Sequence, residues 1–503
     1  MLDNETPVLD IETIGRLRAA LTAADFTADA TYAALGDEAH RALGRNQIVP
    51  ALRATRDGSV LSTLLRLFTL QAEVSVAAAA RALPGGLVDP LSAAGLLVQS
   101  GGQVQALMDI RPYGDEAHDW WIICDATPGL RGPAGPMDPA HVLGISEASS
   151  SLAQLVVRED VESALDLGTG CGVQALHLAQ HARRVVATDV NQRALGMARL
   201  TAALNEVEID VRDGSLFEPV TGERFDLIAT NPPFVISPPG SEVLVYRDSG
   251  MPGDAVVRHL VEHASEHLNP GGWCQILANW AHRSGTDWTD DIGTWLDGRG
   301  LDAWVLQREW VDPAEYVEMW LSDAGVVAGP EHARRYDDWL GWFESEGIDG
   351  IGFGWLSLRR TDAVPTLRLE EWSGEIAPPV GPTVARWGRV VDELRQLSDD
   401  DLLGQHLDAI AAQVQQTRGR VGAEDPEQVV LQLQQGVRRS RQVDTVEAAL
   451  VGACDGELSV GQILDAIGSL LSRDDLRTSH LASVRELIAD GFLDLSGNWN
   501  GGP

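Results

Sequence analysis

The sequence predicts an α/β fold, with a mostly parallel sheet in the middle of the chain and mainly helical regions at both ends. Three observations predict it. Short apolar runs at 162–167, 184–189, 207–212 and 225–230 alternate with helical patterns, as in β-α-β units of a parallel sheet. The first run passes into a glycine-rich turn, Gly168-Thr169-Gly170-Cys171-Gly172, a means of carrying a strand into a helix. Both ends read as short helices followed by a β-arm, with the same Ser-Val entry into a short helix.

In order along the chain, residues 1 to about 57 read as helical, as in Ile14–Leu21. Ser62–Phe68 is an apolar helix, Glu73–Val76 leads into a second helix at Ala77–Leu83, and Leu91–Leu97 is a third. Val104–Ile110 follows as the second arm of a hairpin. Three helices and a hairpin resemble a winged-helix domain. Trp120–Asp125 is a strand joining this module to the middle of the chain, and a helix begins at Ala148. A fifth strand, Trp273–Ala278, follows the Asn269-Pro270-Gly271-Gly272 turn. Ala303–Trp310 and Gly352–Arg359 form a terminal antiparallel hairpin. Between them, about 312–350 is a helical insertion whose Trp320, Tyr336, Trp339 and Trp342 form a packed core.

Residues 362–385 are Pro-rich and read as a linker or strap. Residues 386–440 are Gln-rich and read as a solvated helix, with Arg438, Arg439 and Arg441 the one place where RNA would touch. The C-terminal end repeats the winged-helix logic: helix Val446–Ala453, lead-in Glu457–Val460, helices Gly461–Ile467 and Leu481–Ala489, then Gly491–Leu495. The expected domains are 1–125, 126–362, 363–440 and 441–503.

Composition bounds the function. A chain of 503 residues holds about three domains. No apolar run reaches the roughly 18 residues of a membrane span. The start, Met1-Leu2-Asp3-Asn4-Glu5, lacks a signal peptide's basic and apolar stretches. Cys124, Cys171, Cys274 and Cys454 are scattered, which points to a reducing cytoplasm and to neither disulfides nor a metal site. The net charge is −36, a surface that repels phosphate backbones and suits a basic protein partner. Residues 445–503 carry 9 acids against 3 basic residues, and 58–112 carry 3 of each, so neither end has a phosphate-binding footprint and docking of protein is the better reading.

The most informative motif is Asn231-Pro232-Pro233-Phe234, directly after the apolar run Phe225–Thr230. The Asn side-chain oxygen and a Pro carbonyl offer two acceptors side by side, enough to grip both hydrogens of an NH2 group. The prolines stiffen the turn, and Pro232 biases Asn231 toward an extended backbone. Phe234 adds a flat face for a planar amide or base. Asp189 ends the strand after the glycine turn, 23 residues beyond Asp166, where a carboxylate grips ribose hydroxyls. Each feature alone is an ordinary turn or helix cap. Their order within 70 residues is specific.

With these motifs, residues from about 140 to 360 resemble a Rossmann-like class I S-adenosylmethionine-dependent methyltransferase. Within that class they resemble the methyltransferase small domain proteins, and the HemK/PrmC branch of release-factor glutamine methyltransferases. The Val235-Ile236-Ser237-Pro238-Pro239-Gly240 stretch and the run Asp248-Ser249-Gly250-Met251-Pro252-Gly253 carry the same resemblance. It implies S-adenosyl-L-methionine as methyl donor, with S-adenosyl-L-homocysteine as product. Gly168, Thr169, Gly170, Cys171 and Gly172 would then lie under the methionine part of the donor. Asp166 would receive its amine and Asp189 its ribose. Asn231, Pro232, Pro233 and Phe234 would hold the methyl acceptor, with Asn231, Pro232 and Phe234 as the catalytic trio and Asn231 also touching the donor, and the helix from Ala148 would close over the donor. In Asp213-Gly214-Ser215-Leu216-Phe217, Ser215 stands where the branch usually has the acid for the adenine amine, leaving Asp213, Ser215 and Leu216 as candidates for that contact. Cys171 reads as a small filler and not as a nucleophile.

Three functions stand at this point. The first is a protein methyltransferase acting on a glutamine amide of a release factor or ribosomal protein. The second is an amino-methyltransferase of rRNA or DNA acting on adenine or guanine, with Phe234 stacking a splayed-out base. The third is a cofactor-sensing regulator whose winged ends bind DNA, against which stands the intact acceptor pair.

Overall fold

The computed structural model describes residues 6–115, 117–130, 138–239, 250–419 and 427–495. Met1–Glu5, Gly240, Asp248 and Ser249, used above, lie outside them.

The central sheet has eight strands, here β1 Val161–Leu167, β2 Ala182–Asp189, β3 Asp210–Asp213, β4 Phe225–Thr230, β5 Leu268–Arg283, β6 Leu301–Val311, β7 Ile348–Arg360 and β8 Leu367–Glu371. Their spatial order is β8-β6-β7-β5-β4-β1-β2-β3. β3 to β5 pair in parallel through β2, β1 and β4, while β7 runs antiparallel between β5 and β6. β1 and β4 are buried on both faces in their last residues, hence their unbroken apolar character. Register levels the carboxyl ends: Leu167 lies opposite Thr188 on one side and Thr230 on the other, and Asp189 lies opposite Asp213. Ligands in open α/β sheets bind outside this edge.

Each strand expected of this sheet has a counterpart, though β3 begins at Asp210 and β5 runs over 16 residues, well over twice the expected length. Two helices, Pro313–Asp323 and Pro330–Glu346, fill the insertion. Its aromatics are core: Tyr316, Trp339 and Phe343 are buried with Val235 and Ile236 in one cluster, and Trp320, Tyr336 and Trp342 pack against it.

Ahead of the sheet come the helices Ile11–Ala23, Ala28–Leu43 and Val49–Ala54, then a helix-strand-helix-helix-hairpin array. In that array Gln103–Ala106 lies between Val74–Ser75 and Leu97–Ser100. Val104–Ile110 is therefore not one arm. It breaks at Leu107, and Met108–Gly114 pairs instead with Asp119–Asp125. Nor is residue 125 a break in packing. Leu17, Phe68 and Ile122 share one core with Val173, Met197 and Leu200, and residues 1–153 and 160–371 form one compact unit.

The second unit comprises Gln154–Glu159 and Trp372–Pro503. Two expectations fail near and within it. The Pro-rich stretch is not only a strap, because Leu367–Glu371 becomes the edge strand β8, paired in parallel with β6. The Gln-rich stretch is helical only over Gly381–Gln396 and Asp399–Gly404. Beyond that it forms strands His406–Ala409, Gln413–Arg418, Gln428–Leu433 and Ser440–Val443. The β-branched Val414, Val429, Val430 and Val443 favour that outcome, and Leu431 and Leu433 alternate inward. The arginines there are neutralised. Arg438 pairs with Glu375 at 2.5 Å, Arg439 with Asp490 at 3.5 Å while lying over the Trp372 ring, and Arg441 contacts Glu447, Glu486 and Asp490. Among the described residues no helix is long and apolar enough to cross a membrane.

Candidate active site

A cavity of about 400 Å³ opens at the carboxyl edge of the sheet. Its floor is the glycine turn. Gly168, Gly170 and Gly172 all have positive φ, which disfavours any side chain. A Cβ on Gly168 or Gly170 would meet no atom within 4 Å, so both leave room for a ligand, whereas on Gly172 it would press on Ala198 at 3.2 Å. Thr188 holds the turn by accepting the Gly168 and Thr169 amides, each at 2.9 Å.

Two carboxylates brace this turn from different sides. Asp166 is buried beneath it and outside the cavity wall. Its Oδ2 accepts the Thr169 hydroxyl at 2.6 Å and the Ala175 amide at 3.0 Å. Burial pushes its carboxyl up to about 7, and the charge of Asp189 adds to the rise. Asp189 does line the cavity. Its Oδ2 accepts the Gly170 amide at 2.9 Å and its Oδ1 the Asn191 amide at 2.8 Å. Burial raises its carboxyl pKa as well, opposed by those amides. Each oxygen keeps a lone pair for a ligand hydroxyl. Cys171 is buried and its thiol is pushed up to about 12 by desolvation, which suits a filler.

Opposite lies the asparagine turn. The Thr230 hydroxyl donates to Leu167 O at 2.8 Å and ties β4 to β1 just before it. Asn231, Pro232 and Pro233 line the cavity. The Asn231 Oδ1 is buried without a hydrogen-bond partner among the described residues. A buried lone acceptor costs about 1–3 kcal/mol, so its retention points to a ligand donor. Phe234 is half-buried outside the cavity wall, edge-on to Trp320 at 6.4 Å. Of the adenine candidates, Ser215 and Leu216 reach the cavity with Gly214, and Asp213 is exposed outside it.

Sequence reasoning missed one wall entirely. His141, Val142, Leu143, Gly144 and Ser146 line the cavity in an irregular segment. The segment is fixed from afar: Asp125 accepts the Val142 amide at 2.9 Å, and the Asn191 amide group donates to Ala140 O at 2.9 Å. Ser149 and Gln174, joined by a 2.6 Å bond from the Gln174 amide to Ser149 O, add the helix Glu147–Leu155 that was expected to close the site. A segment without periodicity carries no signal by which to find it.

Residues 144–287 match the family model of the methyltransferase small domain, and residues 23–107 match a domain of unknown function. A Methanocaldococcus jannaschii protein, provisionally named a protein N5-glutamine methyltransferase, is 31% identical over 137 residues, which are 26% of this chain and 69% of that one. The chain belongs to the class I S-adenosylmethionine-dependent methyltransferases, in the HemK/PrmC-like branch. Other relatives of the branch include a release factor glutamine methyltransferase of Geobacter sulfurreducens, 36% identical over 22% of this chain and 43% of that one. A ribosomal RNA small subunit methyltransferase C of Salmonella arizonae is 30% identical over 35% and 45%. The chain spans about half the length of such curated relatives. A solved T. thermophilus 16S rRNA methyltransferase in complex with AdoMet and guanosine is 19% identical and covers 51% of this chain and 68% of its own, with a TM-score of 0.27.

Membership implies S-adenosylmethionine as methyl donor, and the residues present fit it. The open glycine floor and the Asp189 carboxylate at the cavity are what a cationic donor with a ribose would need.

Proposed function

We propose that the chain methylates the side-chain nitrogen of a glutamine in a protein of the translation machinery, a release factor or a ribosomal protein. The observation that carries this reading is the Asn231 Oδ1, buried at the cavity beside Pro232 with no hydrogen-bond partner among the described residues. It is supported by relatives named release factor, protein N5- or ribosomal protein uL3 glutamine methyltransferase. The net charge of −36 favours a protein over a nucleic acid.

The donor supplies an electrophilic methyl on a sulfonium. Gly168, Thr169, Gly170, Asp189, Ser215 and Leu216 would hold it. Asn231 Oδ1 and the Pro232 carbonyl would accept the two hydrogens of the acceptor amide. That grip pushes electron density back to a nitrogen whose lone pair is otherwise delocalised into its carbonyl. Catalysis is then positioning plus electrostatics, with no protein nucleophile.

The competing reading is an rRNA amino-methyltransferase, supported by the relative from S. arizonae. Radiolabelled S-adenosylmethionine and a lysate of the source cell separate the two, with Asn231→Ala as control for site-dependent label. Label lost to protease and not to nuclease is the expected result. Label lost to nuclease alone overturns the glutamine reading.

A further inference from the structure

The segment after the acceptor motif poses a backbone problem. Val235 and Ile236 are fully buried, yet they lie outside the sheet ladder and its hydrogen bonds. A buried amide and carbonyl must find partners. For Ile236 both come from the insertion. Its N–H donates to the Tyr316 hydroxyl at 2.8 Å, and its C=O accepts the Trp339 indole N–H at 3.1 Å. The Tyr316 hydroxyl also receives the Asn279 amide of β5 at 2.9 Å, which anchors it to the sheet. Trp320 meets Phe234 edge-on, and the Trp342 ring lies 3.9 Å from where a Cβ on Gly253 would stand, near the cavity-lining Gly250 and Met251. The insertion thus touches the chain on both sides of the acceptor end of the cavity. It lies beyond residue 287, where the family match stops.

We propose that Tyr316 and Trp339 are positioning residues for methyl transfer: by holding both polar groups of Ile236 they fix the turn that aims Asn231 and Pro232 at the acceptor. The role rests on the transfer reading above but not on which acceptor is used. The prolines restrict the turn's torsions but do not set where it points, and a displacement of about 1 Å at a reacting group costs up to roughly 100-fold.

The test uses the full chain with Tyr316→Phe, which deletes the hydroxyl's bonds to Ile236 and Asn279, and Trp339→Phe, which deletes the indole bond to Ile236; both keep an aromatic ring. The turnover measured is the label that Asn231→Ala abolishes, whether protease or nuclease removes it. A nuclease-sensitive label would defeat the glutamine reading and leave this inference standing. Each variant is expected to lower kcat about tenfold, with donor Kd within about twofold of wild type. Amide exchange at Phe234, Val235, Ile236 and Ser237 should quicken about tenfold, while 168–175 stays unchanged. Faster exchange with wild-type kcat would mean a merely structural role and overturn the proposal. Unchanged exchange at Ile236 would overturn it too. Should one variant fail to fold, the other carries the same test, because each removes a separate bond to the same residue.

Discussion

The glycine turn after β1 and the asparagine turn after β4 follow neighbouring strand ends, paired at Leu167 and Thr230, yet they are held in opposite ways. The glycine turn is braced locally: by Asp166 just before it, by Thr188 and Asp189 of the adjoining strand, and by its own positive φ values. The asparagine turn carries an acceptor, Asn231 Oδ1, that is unsatisfied among the described residues, and the residues after it are braced by Tyr316 and Trp339, 80 and 103 positions from Ile236. A turn held by local contacts can be written into one strand-turn-helix. A turn held by an element inserted elsewhere can be tuned from a distance.

The sharpest way to break this contrast is Asn231→Ala. Transfer should fall by roughly 100- to 1,000-fold, as for loss of one preorganised polar group, with donor Kd changed no more than a few-fold. Calorimetry with S-adenosylmethionine beside labelled transfer checks both numbers. A large loss of donor affinity would mean that the two turns are one site and the division is false. Asp189→Ala is the mirror experiment. It frees the Gly170 and Asn191 amides and removes the proposed ribose acceptor, so donor affinity should drop roughly 10- to 100-fold. Turnover at saturating donor should stay within about threefold, and a selective kcat defect would contradict the assignment.

The same contrast explains what the sequence made legible. β1, β2, β4 and the glycine turn could be read because their determinants are local: apolar runs, glycines at positive φ, an acid at a strand end. The segment 138–146 could not, since Asp125 and Asn191 hold it. β8 was hidden by flanking prolines and by Glu370 and Glu371. These look like solvated acids, yet they accept the Trp304 and Trp288 indole N–H groups. The two terminal modules make the point again. Ser75 and Ser459 both cap a helix directly after a short strand, and this recurrence was visible. In the first module the middle strand, Gln103–Ala106, follows the helices, while in the second it is His406–Ala409, which precedes them. Strand partners far apart in the chain leave no periodic mark.

A smaller effect tests the claim that the glycine turn stores its geometry in itself. Gly172 has φ 88°, and an added Cβ would sit 3.2 Å from Ala198 Cα. Gly172→Ala should cost about 2 kcal/mol of stability in the first unit, from left-handed backbone strain and from crowding against backbone that cannot rotate away. Gly168→Ala meets no neighbour and keeps only the strain at φ 77°, so it should cost about 1 kcal/mol and instead obstruct the donor. Melting curves with and without S-adenosylmethionine distinguish them: stabilisation by the donor should survive in the first variant and shrink in the second.

The smallest expected effect is a slope. Asp166 is protonated in the folded chain up to about pH 7, because burial outweighs the Thr169 and Ala175 hydrogen bonds, while in the unfolded chain it ionises near 3.8. Between these values the folded state binds the extra proton, so the Asp166 contribution to stability falls as pH rises and levels off above about 7. Asp166→Asn keeps an acceptor for Thr169 and Ala175 but cannot ionise. Its melting temperature relative to wild type should therefore climb between pH 5 and 7 and stay constant from 7 to 8. Asn231→Ala, at a turn without a buried carboxyl, should show no such pH-dependent difference. Parallel curves for wild type and Asp166→Asn would mean that the acid beneath the glycine turn is ionised in the fold. The local brace would then be a charged one, and the donor turn would depend on its surroundings as much as the acceptor turn does.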